Sequence, residues 1–304
     1  VRLLRNCLWI GLVALACLVA IHFPYITDAE PSAQETAKVV TYYQQAYSAM
    51  QSADTGEAYM KVAEDVAEGI GVKGTLQDYI RTHDLSGKRA LDVGSGRGYL
   101  QDVVPDYTGL DISPSAQRFY HKPFVLGSAT ALPFPDNRFD IVWSIWVLEH
   151  IPNPEQALRE MRRVTRDGGI IYLMPAWFCP TWAAQGYEIR PYSDFGLTGK
   201  LIKASIPLRS QLPFIAAYLL PARAIRFLSY EISRSPTRLH YRRLQPNYTK
   251  YWVPDSDATS SIDWYEALLW FDSRGDQVLN HDPPAASIVQ RVKDPRLIVQ
   301  VHKQ

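Results

Sequence analysis

The sequence predicts an α/β fold: a doubly wound, mostly parallel seven-stranded sheet with helices on both faces and an inserted lid region after the fifth strand. Three observations predict it. Between residues 89 and 175, short apolar runs alternate with helix-period stretches, the pattern of parallel strands joined by crossovers. A glycine-rich turn follows directly on the first of those runs. After the fifth run the texture changes to a basic, proline-broken block and then returns to α/β character.

Composition sets the outer limits. The 304 residues are 47% hydrophobic and 21% charged, which suits one large core and excludes a disordered or collagen-like chain. A net charge of +1 gives no global attraction to nucleic acid, and no nucleic-acid partner is expected. Cys7 and Cys17 lie in an apolar N-terminal run, leaving Cys179 alone in the rest, so no disulfide framework is available. The seven histidines show no short ligand spacing, and no carboxylate cluster follows Ser144 or Pro175. No metal is expected.

Residues 1–29 read as a signal-anchor or signal segment. Arg2 and Arg5 precede a charge-free run of 15 residues, Cys7 to Ile21, a length between a signal-peptide core and the roughly 20 residues of a spanning helix. An uncleaved single-pass membrane anchor, a signal cleaved near Thr27-Asp28-Ala29 and a buried helix all stay open, the anchor being the favoured reading. Flanking charge, with only Lys38 after the run, then puts the remainder on the non-cytoplasmic side. Residues 30–86 form a helical N-terminal lid, with Val40, Tyr43, Tyr47 and Met50, then Tyr59, Val62, Val66 and Ile70, recurring at three- and four-residue steps, their tyrosines facing the core.

Residues 87–175 carry the five strands, beginning at Arg89, Tyr107, Phe124, Phe139 and Gly169, with a helix over Pro154–Thr165 whose stripe is Ala157, Leu158, Met161 and Val164. Residues 176–250 hold eleven Lys and Arg against three acidic residues, a charge of +8, and seven prolines forbid one long helix there. This insertion reads as short helices, including an apolar one over 214–232. Residues 251–304 complete the sheet: a helix over Asp263–Asp272, then strands at Gln277–Leu279 and Arg296–His302 that pair.

The chemistry concentrates at the strand ends. Gly94, Gly96 and Gly98 let the backbone turn tightly after Asp92 and approach a ligand with no Cβ in the way. Asp111, at the end of the second strand, can accept both ribose hydroxyls of a nucleoside. A dinucleotide-binding turn would place its third glycine where Tyr99 stands, so the turn suits a nucleoside without a diphosphate, and a nicotinamide-dependent oxidoreductase is disfavoured.

Five ordered segments, 91–98 (LDVGSGRG), 109–113 (GLDIS), 131–140 (ALPFPDNRFD), 147–151 (VLEHI) and 163–169 (RVTRDGG), resemble the class I S-adenosylmethionine-dependent methyltransferases, in particular the type 11 group of small-molecule enzymes. The resemblance covers about Arg89 to Pro175 and implies a Rossmann-like fold with S-adenosyl-L-methionine as cofactor. It implies that Asp92 and the turn at Gly94, Gly96 and Gly98 lie along the methionyl and ribose parts, with Asp111 on the ribose hydroxyls. Ile112 flanks the adenine, Ser128 and Ala129 border its edge, and Ser144 meets the amino-acid end. The family usually has an acidic residue at position 128, where Ser128 offers only a neutral hydrogen bond.

The implied activity is methyl transfer, most simply to a hydroxyl of a small molecule, glycan or lipid at or near a membrane. His150, just past the fourth strand, is the candidate catalytic base, with packing or capping of the next helix as its alternative role. The acceptor is expected against the insertion, where Trp177, Phe178, Trp182, Tyr187 and Tyr192 offer aromatic faces and Arg190, Arg238, Arg242 and Arg243 offer charge. The alternative function is a non-catalytic, membrane-anchored binding protein that keeps the fold.

Overall fold

The computed structural model describes residues 2–22, 32–48, 65–180, 182–183, 186–209, 211–247, 251, 253–290 and 294–303. In chain order its longer elements are helices α1 (Arg2–His22), α2 (Ala33–Ser48) and α3 (Val72–Thr82), then strands β1 (Ala90–Val93), β2 (Tyr107–Asp111), β3 (Phe124–Leu126) and β4 (Phe139–Ile145). Helix α4 (Pro154–Val164) and strand β5 (Thr165–Met174) follow, then α5 (Leu197–Arg209), α6 (Leu212–Ser233), β6 (Tyr241–Arg243) and β7 (Ser260–Ile262). Helix α7 (Trp264–Asp272) and strands β8 (Gln277–Val278) and β9 (Leu297–Gln300) close the chain.

The seven-stranded sheet has the order β3-β2-β1-β4-β5-β9-β8. Strands β1 to β5 run parallel, and β9 pairs antiparallel with both β5 and β8. The fold is therefore the Rossmann-like, doubly wound arrangement, with its switch point between β1 and β4 where the strand order reverses.

Alternation along the strands builds two cores. Leu91 and Val93, Val142, Ile171 and Leu173, and Leu297 and Val299 face α4 and α7. Their neighbours Ala90, Ile141 and Trp143, Ile170 and Tyr172, and Ile298 face α3. Helix α4 presents the expected stripe of Ala157, Leu158, Met161 and Val164, all buried, and starts on an Asn153 cap whose side chain accepts from the Gln156 amide at 3.2 Å. In α3 the buried face is Val72, Leu76 and Ile80, at four-residue steps. Tyr43 is buried as expected, whereas Val66 and Ile70, at the same kind of spacing, are exposed; Met50, Tyr59 and Val62 lie outside the described residues.

The crossover after β1 is a series of turns and the one after β2 a 3-10 helix, Pro114–Phe119, so chain close to the sheet end, not a long helix, borders the crevice there. The insertion keeps two helices, α5 and α6, each with an interior proline, Pro207 and Pro221. Strand β6 pairs antiparallel with β7, a two-stranded ribbon joining the basic block to the C-terminal part across the expected 250/251 boundary.

The membrane anchor does not hold. Among the described residues no helix is long and apolar enough to cross a membrane. Helix α1 reaches its 21 residues only by taking in Arg2, Arg5, Asn6 and His22 around the apolar run. It lies against α6 instead. The single-pass localisation, the membrane as a partner and the charge-based orientation fall with it.

Candidate active site

Ligands of open α/β sheets sit beyond the carboxyl ends of the strands at the switch point. A cavity of about 310 Å3 opens there, walled by the turn after β1, the ends of β2 and β3, the loop after β4, and Thr36, Val39 and Tyr43 of α2. That volume lies at the lower end of small-molecule sites, about 300–1,000 Å3.

The glycine turn is held against β2: the amides of Gly94 and Ser95 both donate to the Leu110 carbonyl, at 2.8 and 3.0 Å. Gly94 has φ +76°, and a Cβ there would stand 2.4 Å from both Val147 methyls. Asp111 ends β2 with both carboxylate oxygens engaged by backbone. Its Oδ2 accepts from the Gly96 amide at 2.9 Å and its Oδ1 from the Ser113 amide at 2.9 Å. Burial pushes the Asp111 carboxyl up to about 6, and those amides pull against it.

Asp92 points to the other face of the sheet. It is buried, and its Oδ2 accepts from the Tyr107 hydroxyl at 2.9 Å. Burial drives its carboxyl up to about 7, with Tyr107 opposing.

Of the residues expected to meet a ligand, Gly94, Asp111, Ile112, Ser128, Ala129 and His150 line one cavity. Gly96 and Gly98 belong to the turn behind it, both at positive φ. Ser144 is buried in β4, its hydroxyl donating to the Val93 carbonyl at 3.0 Å, so it braces β1 and is not among the lining residues. Ser128 shares a 2.8 Å hydrogen bond with the Thr130 hydroxyl. No described lining residue comes from 176–250. Much of that block's charge and aromatic surface has internal partners: Arg243 bonds Glu35 of α2 at 3.0 Å, and Tyr187 stacks on Phe195.

His150 closes a single 3-10 turn, Leu148–His150, that follows Trp146 at φ +54°. Three carboxylates surround it. Asp257 Oδ2 stands 3.5 Å from its Nδ1 and Glu149 Oε1 3.9 Å from its Nε2, and Asp255 adds a third, weaker negative charge. Burial disfavours the imidazolium, but Asp257, Glu149 and Asp255 outweigh it and hold His150 above the usual histidine value. Burial also raises Glu149 and Asp255. The hydroxyl of Tyr43 donates to Asp257 Oδ2 at 2.9 Å. Sequence reasoning missed Asp257 and gave Tyr43 only a packing role. The one available signal was Glu149, inside the same short motif as His150. Among the described residues no group of three or more His, Cys, Asp or Glu could hold a metal ion.

The residues fit an adenosyl group. A carboxylate has about four lone-pair sites, so Asp111 keeps acceptor capacity for vicinal hydroxyls after its two amide bonds. Leu110, Ile112 and Ala129 supply apolar wall beside it for a flat base.

Comparison with known proteins points the same way. Residues 91–173 match a family described as a methyltransferase domain. The chain is 36% identical over 141 residues to an uncharacterized methyltransferase of Mycobacterium tuberculosis, covering 42% of this chain and 54% of that protein. It is 32% identical over 173 residues to one of Mycobacterium leprae, covering 51% and 60%. The chain thus spans little more than half the length of these relatives. Among solved structures it is similar to the SAM-bound amino pentose methyltransferase CalS10 of Micromonospora echinaspora, at 22% identity and a TM-score of 0.34, covering 38% of this chain and 57% of that one. The motifs, the strand order and the family match agree, and residues 91–173 of this chain are a methyltransferase domain of the class I S-adenosylmethionine-dependent family.

Proposed function

We propose that this chain is a methyltransferase that uses S-adenosylmethionine to methylate a hydroxyl of a small molecule, glycan or lipid. One observation carries the choice of a hydroxyl: His150, backed by buried carboxylates, shares a cavity wall with Asp111. A hydroxyl must shed its proton as its oxygen attacks, and an imidazole at that wall can take it.

S-adenosylmethionine supplies an electrophilic methyl carbon on a positive sulfur. Asp111 holds the ribose hydroxyls, Ile112 and Ala129 flank the base, and the turn at Gly94 lets the backbone approach the ligand. Helix α2, through Thr36, Val39 and Tyr43, shields the cavity from water and aligns the acceptor. His150 accepts the acceptor's proton. Its raised affinity for protons makes it a stronger base that is available at higher pH.

The test is transfer of a labelled methyl group from S-adenosylmethionine to a panel of alcohols, sugars and lipids, with mass spectrometry of the product. An O-methyl ether supports the reading. A labelled amine or thiol as the sole product overturns the choice of hydroxyl, and calorimetry with no donor binding overturns the whole.

A further inference from the structure

We infer that Asp257 is the positioning residue for His150 and that Tyr43 of α2 holds Asp257 in place, so that α2 completes the His150–Asp257 pair. The inference rests on the reading of His150 as the base.

The backbone fixes the two partners before their side chains meet. Just beyond Asp257, the Thr259 amide donates to the Glu149 carbonyl at 2.8 Å, and the Ser260 hydroxyl reaches the Leu148 and Glu149 carbonyls at 3.3 Å each. On its other side the chain is folded into a tight turn. There the Ser256 amide bonds the Val253 carbonyl at 3.0 Å, and the Ala258 amide bonds that of Asp255 at 3.1 Å. Asp257 therefore enters from a braced loop onto the turn that carries His150.

The side chains are poised but not closed. Asp257 is 1% exposed and His150 9%. His150 Nδ1 and Asp257 Oδ1 are both buried without a hydrogen-bond partner, and the gap from Nδ1 to Oδ2 is 3.5 Å. Catalytic hydrogen bonds are often long before substrate binds and tighten afterwards. A shift of under about 1 Å would make this one, fixing the tautomer and ring plane of the imidazole.

The other groups facing His150 are worse candidates. Glu149 is farther away, and its Oε1 is already taken by the Ala176 amide at 3.0 Å. Asp255 acts on His150 as the weakest of the three charges, and burial keeps the Cys179 thiol neutral. Tyr43 fits the role of holder: its ring meets the imidazole edge-on at 6.0 Å while its hydroxyl bonds Asp257.

The test uses the full chain with labelled histidine, the His150 resonance being assigned by its loss in His150→Gln. In Asp257→Asn the His150 titration midpoint should fall toward the ordinary value, kcat should drop about 100-fold, and donor binding by calorimetry should stay within about twofold. Asp257→Glu should restore part of the rate, and Tyr43→Phe should lower both midpoint and rate by less. An unchanged His150 midpoint in Asp257→Asn, read in protein that still binds donor, overturns the inference. If Asp257→Asn does not fold, an unchanged midpoint in Tyr43→Phe does so. A wild-type chain that transfers no methyl group but whose His150 midpoint moves in these variants refutes the proposed base and leaves the pairing standing.

Discussion

Asp111 ties the glycine turn to the end of β2: its Oδ2 accepts the Gly96 amide at 2.9 Å across 15 residues of chain. The carboxylate thus shapes the turn and lines the cavity at once. A neutral side chain could not serve both amides in this way, because an asparagine has one acceptor oxygen where this site uses two.

Donor affinity should therefore fall sharply on replacement. Asp111→Ala removes charged hydrogen bonds worth about 1.5–3 kcal/mol, a loss of roughly 10-fold to 100-fold in affinity by calorimetry. Asp111→Asn should lose nearly as much, since its NH2 faces a backbone N–H. The wild-type affinity should also weaken as pH drops through about 6, when the carboxyl takes up a proton. Affinity that is flat from pH 5 to 8 contradicts the assignment.

Gly94→Ala should damage the turn itself. The position has φ +76° and its new Cβ would collide with the Val147 methyls at 2.4 Å. Left-handed backbone alone costs about 1–2 kcal/mol for a residue with a Cβ, and the clash adds to it. Thermal unfolding should show a lower Tm, together with weaker donor binding. A variant with wild-type Tm would mean that Val147 is free to move aside.

Asp92 offers a test of burial by pH. Its folded value of about 7 lies above the 3.8 of an unhindered aspartate, so the folded chain holds an extra proton between those limits. That contribution to stability is complete below pH 4 and is lost as pH rises through about 7. Asp92→Asn imitates the protonated form. It should stabilise the ligand-free protein at pH 8 by roughly 2 kcal/mol and change little at pH 4, measured by denaturant unfolding. Equal effects at both pH values would show that the carboxylate is better solvated than its burial implies.

What was legible in the sequence was local. Gly94 and Asp111 come from segments 17 residues apart whose strands pair side by side, so turn chemistry and spacing were enough to bring them together. Tyr43 and Asp257 are 214 residues apart and meet only because α2 packs along the cavity wall, which no local pattern encodes. Val66 and Ile70 kept helical spacing yet stayed exposed, because periodicity marks an apolar face without saying what covers it. The charge of the basic block is equally silent about direction: Arg223 and Arg226, within it, turn inward onto Asp263 and Glu266. The apolar helix expected over 214–232 does form as α6, with Pro221 inside it, and those same arginines fasten its buried face.

That fastening supplies the last prediction. Arg223 is 2% exposed and grips Asp263 through two hydrogen bonds of 2.8 Å, while its guanidinium lies over the Trp264 and Tyr265 rings at 5.0 and 5.3 Å. One turn on, Arg226 bonds Glu266, so an i,i+3 pair on α6 meets the cap of α7 and the acid three residues into it. Asp263 also caps α7 by accepting from the Tyr265 amide at 2.9 Å. Arg223→Met keeps most of the bulk but strands a buried carboxylate, a loss of about 3–5 kcal/mol. Adding Asp263→Asn removes the stranded charge and keeps the capping oxygen, so the double variant should recover most of that stability. Urea unfolding of the single and double variants measures the coupling. If the double variant is no more stable than Arg223→Met, the arginine holds α6 to α7 through its packing on the two rings and not through its charge.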